Sequence, residues 1–168
     1  MNDSEQDCLT ERHIFLFGST VHWFAQYEVL VQKVMARLAG NDLACITVLT
    51  RTLDFSEKRL ALLDLLHVKA VPSDQWERVY AYLAVPHGLV SLRNDIAHAN
   101  WVNSPLPNSI QPNWILRQAP AIETLREGRG SSDDTSYTLD DLSQIVKNLA
   151  GNYESFSAYL LEVGLVPR

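Results

Sequence analysis

Apolar residues recur at steps of three and four, or sums of these, along HIFLFGSTVHWFAQYEVLVQKVMARLAGND: Ile14, Phe17, Val21, Phe24, Val31, Met35 and Leu38. That spacing lines one face of an α-helix, and Gly40-Asn41 supplies a stop at its end. The start is open between Thr10 and Ser19, because Gly18 costs about 1 kcal/mol in a helix interior. Glu28 falls on the apolar seam where a hydrophobe is expected.

Downstream, DLACITVLTRTLDF is ambiguous: its β-branched residues favour a strand, its place between helices favours a helix. SEKRLALLDLLHV predicts a helix with Ser56 as N-cap and Leu60, Leu63 and Leu66 on one face. PSDQWERVYAYLAVPHGLVSLRNDIAH predicts another, capped by Ser73, with Asp74 in the first turn and Trp76, Val79, Leu83, Val90 and Ala97 along its face. Pro86 and Gly88 interrupt it, so a kink or two abutting helices is expected there. From Trp101 to Ser136 the texture changes to Pro, Asn and Gly. Within this stretch NWILR and IETLR could pair as a short hairpin, while REGRGSSDD has the composition of a flexible loop. The last helix opens on Thr138 and Asp141 in a capping-box arrangement. It continues through Leu142, Val146, Leu149, Tyr153, Phe156, Leu160 and Val163, and Gly164 closes it. This 3.5-residue spacing suits near-parallel packing on another helix, within the domain or across a dimer.

The expected fold is mainly all-α: one domain over 1–168, an up-and-down bundle of four to five helices. About 1–9 would be a tail, and about 101–137 an irregular insertion, able to hold a short β-hairpin, before the last helix. There is no internal repeat. Hydrophobic residues make up 46% of the 168 and charged ones 20%, which excludes wholesale disorder. The formal net charge of −6 argues against a general nucleic-acid coat, so RNA contact would need a local basic patch on an acidic body. Cys8 and Cys45 form no zinc-ribbon or disulfide spacing, as expected of a reducing compartment. The opening MNDSEQDCLTERHIFLFG is acidic where an export signal would be basic, and no stretch approaches a membrane span. A soluble cytoplasmic protein without a membrane association is the expectation.

The chemistry concentrates in SLRNDIAHANW, at the end of a helix. Each helical residue advances by about 100°, so Asn94 and His98 lie about 40° apart on one face. Arg93 and His98 are about 140° apart, yet the long arginine can reach around, and a second subunit on this face could complete a site. A histidine can take and give a proton near neutral pH. Arginine forks two hydrogen bonds onto phosphate oxygens, and asparagine can orient either one. In RNA the 2′-OH is an internal nucleophile, so cleavage needs proton transfer and stabilisation of the phosphate, and in principle no metal or other cofactor.

LRNDIAH resembles the R-(polar)-x-x-x-H signature of HEPN (higher eukaryotes and prokaryotes nucleotide-binding) domains, with Arg93, Asn94 and His98 at its three positions. The resemblance covers six residues plus agreement of architecture. It implies a helical bundle that dimerises through the motif-bearing face and a metal-independent ribonuclease, a hydrolase of toxin–antitoxin or phage-defence settings. An antitoxin or complex partner would accompany it. One subgroup carries Tyr two residues after the His as an acceptor of nucleotide modification. Here Asn100 stands there, so the resemblance does not extend to that control.

Each residue also has a plainer use. His98 could cap its helix, Arg93 could pair with Asp95 at the surface, and Asn94 could be an ordinary helix residue. Glu28 and Asp95 are the candidate supporting residues: Glu28 could orient Arg93 or sit at an edge reaching solvent. Trp101 and Trp114 could stack bases or pack in the core. Arg117, Arg126 and Arg129 make the insertion the best candidate RNA-facing element, or a solvated loop. His13, His22, His67 and His87 show no metal-ligand spacing such as H-E-x-x-H, and no phosphate-cradling glycine loop, G-x-S-x-G or Cys–His pair is visible. A non-catalytic interaction or dimerisation module is the alternative reading.

Overall fold

The computed structural model describes residues 9–113 and 135–166. Thr10 starts the first helix, α1 (Glu11–Ala39), by accepting from the His13 backbone N–H while the His13 ring reaches back to the Thr10 N–H. With this reciprocal cap in place the helix runs uninterrupted through Gly18, so the later start at Ser19 is not used. Gly40, at φ 68°, ends it in the left-handed conformation that glycine adopts without penalty.

The ambiguous segment after it forms a short helix, α2 (Leu43–Leu49), capped by Asp42. The next helix, α3 (Phe55–Val68), is capped by Asp54 in a box with Glu57. This corrects Ser56 as the cap: Asp54 and Glu57 have the same three-residue spacing and a better pair of side chains. Leu60, expected on the inner face, is 55% exposed, and Phe55, Leu62, Leu63 and Leu66 are buried instead. Helix α4 (Ser73–Gly88) has Pro72 at its N-cap position with no side-chain cap, so Ser73 is its first residue rather than its cap. At Leu89 the chain breaks and resumes as α5 (Val90–His98), the two abutting helices expected from Pro86 and Gly88.

Pro86 has no N–H for the Tyr82 carbonyl one turn back. Asn152, on α6 (Leu139–Glu162), supplies it, donating from Nδ2 to Tyr82 O at 2.9 Å and to the Tyr27 hydroxyl at 2.5 Å. Tyr27 in turn donates to Leu149 O at 3.2 Å. One asparagine thus ties α1, α4 and α6 where proline leaves a carbonyl open. Burial pushes the Tyr27 phenol up to about 12, against the Asn152 hydrogen bond that lowers it.

Helix directions follow from these contacts. Phe55 meets Phe24 and Tyr27, and Lys58 meets Glu28, so α3 runs with α1 along its second half. Arg59 lies over the Tyr80 ring and Ser56 reaches His87, so α4 runs against α3. Arg78 lies over Tyr159 while Tyr82 stacks on Phe156, so α4 also opposes α6. The main core gathers Phe24, Tyr27, Val31, Val34, Leu62, Leu66, Val79, Leu83, Leu149, Phe156 and Leu160, each worth about 1.5–3 kcal/mol of burial for its larger members.

Before α6 lies a three-stranded antiparallel sheet in the order β1 (Asn100–Asn103), β2 (Ser109–Asn113), β3 (Tyr137–Thr138). Asn103 pairs with Ile110 and Trp101 with Pro112, so the observed hairpin starts directly after α5. The expected NWILR–IETLR pairing falls almost wholly outside the described residues. A second, smaller core of Leu16, Phe17, Ile110 and Leu142 with Ile96, Trp101 and Tyr137 joins this sheet to α1, α5 and α6. Thr138 and Asp141 form the expected capping box of α6. No helix among the described residues is long and apolar enough to cross a membrane.

Candidate active site at the end of helix α5

Leu92 and Asp95 form the buried face of α5, which packs on α1 and α4. Arg93 and Asn94 are half-buried beside that face, and His98 is exposed on the last helical residue. Ala99 then turns to extended backbone (ψ 150°), its N–H closing the helix on Asp95 O at 2.9 Å. The motif is therefore held between the helix break at Leu89 and the sheet that starts at Asn100.

Arg93 Nη1 donates to Asn94 Oδ1 at 3.1 Å. Because Asn94 shares a face with His98, this bond draws the guanidinium toward the histidine side of the helix, shortening the reach that the 140° separation (about 100° per residue) would demand. No hydrogen bond joins Arg93 to His98 among the described residues. Arrayed this way, the group offers a fixed cation with free N–H donors, a neutral amide and an imidazole open to solvent. That set can bind an anion and exchange a proton beside it.

The supporting residues are placed elsewhere. Asp95 points inward beside Tyr137, whose phenol is pushed up by burial and secondarily by the Asp95 carboxylate. Glu28 does not orient Arg93: it accepts a hydrogen bond from Lys58 Nζ at 2.5 Å. The physical reason is that α3, not α5, flanks this part of α1. Trp101, half-buried, packs against Phe17 and Tyr137 at the small core, with ring centroids 4.6 Å and 6.1 Å away. Trp114, Arg117, Arg126 and Arg129 lie outside the described residues.

Lys58 as the partner of Glu28, and the buried Arg59, have only a partial signal in the sequence: an apolar seam that admits a carboxylate asks for a cation, but nothing local says which helix supplies it. Among the described residues no group of three or more His, Cys, Asp or Glu side chains could hold a metal ion. No family model matches the chain, and neither a curated protein nor a solved structure matches it significantly.

Proposed function

We propose that the chain is a HEPN-like endoribonuclease that cleaves RNA by attack of the 2′-OH, in a toxin–antitoxin or phage-defence setting. Arg93 binds the scissile phosphate and stabilises its added charge. His98 acts as general acid and base, and Asn94 holds the arginine in place. The observation that carries this reading is the Arg93–Asn94 hydrogen bond on a helix whose last residue is the exposed His98. The working form is a homodimer acting on RNA, held in check by a partner protein, and the proposed location is cytoplasmic.

Purified protein is expected to cleave RNA in EDTA and to leave 2′,3′-cyclic phosphate ends. His98→Ala should lower the rate by about 10²–10⁴, the usual contribution of a general acid–base group, with the circular dichroism spectrum unchanged. Full activity in that variant overturns the assignment.

A second reading, a non-catalytic dimerisation or interaction module, draws on a different observation. The outer face of α1 exposes Ile14 and Phe15 at 60% and 70%, on a body of net charge −6. Absence of cleavage by the wild type, together with capture of a partner through α1, favours it.

A further inference from the structure

Ile14 and Val21 belong to the apolar periodicity of α1, yet both are exposed. With Phe15, Gly18, His22, Ala25 and Val29 they form a stripe on the outer face of the helix that carries no charge over its whole length. Topology leaves it open from Ile14 to Val29: α2 and α3 accompany only the second half of α1, where Gln32 donates to Thr50, and α5 and α6 pack on its other faces. Gly18 lies at the floor of a shallow groove between Phe15, Ser19, His22 and Trp23.

Gly18 is the second observation. A glycine weakens a helix interior, so something should require it. Nothing among the described residues does, because a Cβ there would meet none of their atoms within 4 Å. A close approach from outside would account for it. The ends of the stripe give the third: Glu11 bounds it on one side and Lys33 on the other, both exposed.

Turned end for end about His22, the stripe matches itself. Glu11 comes opposite the second copy's Lys33, Phe15 opposite Val29, and Gly18 beside Ala25, where two small residues let the backbones draw together. A parallel pairing would set like charges against each other. We infer that this face of α1 is a two-fold interface, on which a second copy of the chain packs its own α1 antiparallel. Such an isologous contact closes on itself and makes a dimer rather than a fibre. It lies on α1, whereas the family resemblance expects pairing through the face of α5, and it does not depend on the ribonuclease reading.

Light scattering with size-exclusion chromatography tests it on the full chain, over about 1–100 μM. The wild type should approach twice 19.0 kDa, and a monomer at every concentration overturns the proposal. Gly18→Leu suits helix formation better than glycine, so the variant should unfold at the same temperature or higher as a monomer, yet dissociate at least about tenfold more readily. An unchanged dimer in that variant overturns the interface. Lys33→Glu should weaken the dimer, and Glu11→Lys in the same chain should restore it; failure of this rescue overturns the antiparallel register. His98→Ala leaves the mass at the dimer value, so loss of cleavage and loss of association are read separately.

Discussion

Replacing Glu28 by Gln removes one charge and almost no volume from the middle of α1. The carboxylate it removes is 2.5 Å from Lys58 Nζ, with side chains 28% and 7% exposed respectively. At an effective dielectric of about 20, unit charges this close attract by about 6–7 kcal/mol, and most of that offsets the loss of water around both groups. Taking away one partner leaves the other's desolvation uncompensated, which costs about 3–5 kcal/mol for fully buried pairs. Glu28 lets water approach from its exposed side, so Glu28→Gln should destabilise by about 2–3 kcal/mol, at or just below the lower limit for fully buried pairs.

Urea unfolding followed by circular dichroism measures this directly. Lys58→Met in the same chain removes the stranded ammonium, and the double variant should return to within about 1 kcal/mol of the wild type, since no buried ion is left uncompensated and the glutamine amide reaches water on its exposed side. RNA cleavage per folded molecule should be unchanged throughout. A loss below about 0.5 kcal/mol would place the pair with exposed salt bridges and refute the burial argument. Lost cleavage at full stability would refute it differently, by returning Glu28 to Arg93.

Two further outcomes follow from hydrogen bonds that close helix ends and breaks. Asn152→Ala leaves two acceptors, the Tyr82 carbonyl at Pro86 and the Tyr27 hydroxyl oxygen, without this donor, and should cost about 2 kcal/mol in urea unfolding. Because Pro86→Ala restores an N–H to Tyr82 O, the Asn152→Ala cost should be smaller in that background; an equal cost refutes the carbonyl's role. His13 has its Nδ1 occupied by the Thr10 N–H and its Nε2 buried without a partner among the described residues, and burial lowers its pKa below the ordinary 6.5. The unfolded chain then takes up this proton first. The His13 contribution is full above about 6.5, declines as pH falls below it, and levels off past the folded value. Glutamine keeps the capping arm without titrating, so the stability difference between wild type and His13→Gln should fall as pH drops below about 6.5. A flat difference sinks it.

What the chain revealed in advance depended on whether a feature is local. Thr138 and Asp141 announced the start of α6, and Pro86 and Gly88 announced the break before α5, because a cap or a missing N–H acts within one turn. Asp54–Glu57 was as local and as legible; Ser56 drew attention only because serine is a good cap in isolation. The partners of Glu28 and Tyr27 were not legible, since Lys58 and Asn152 reach them from other helices and no periodicity says which helix lies alongside. The motif is intermediate. Its angular layout follows from helix geometry, whereas the Arg93–Asn94 bond and the inward turn of Asp95 depend on what α5 packs against. Ile14 and Val21 show the limit most clearly. Periodicity reports that a face is apolar, not what covers it, and α1 carries apolar residues on both its inner and outer sides. Reading all of them as one core face merges two surfaces that the fold separates: Phe17 and Phe24 are buried, while Ile14 and Val21 stay exposed on the outer side.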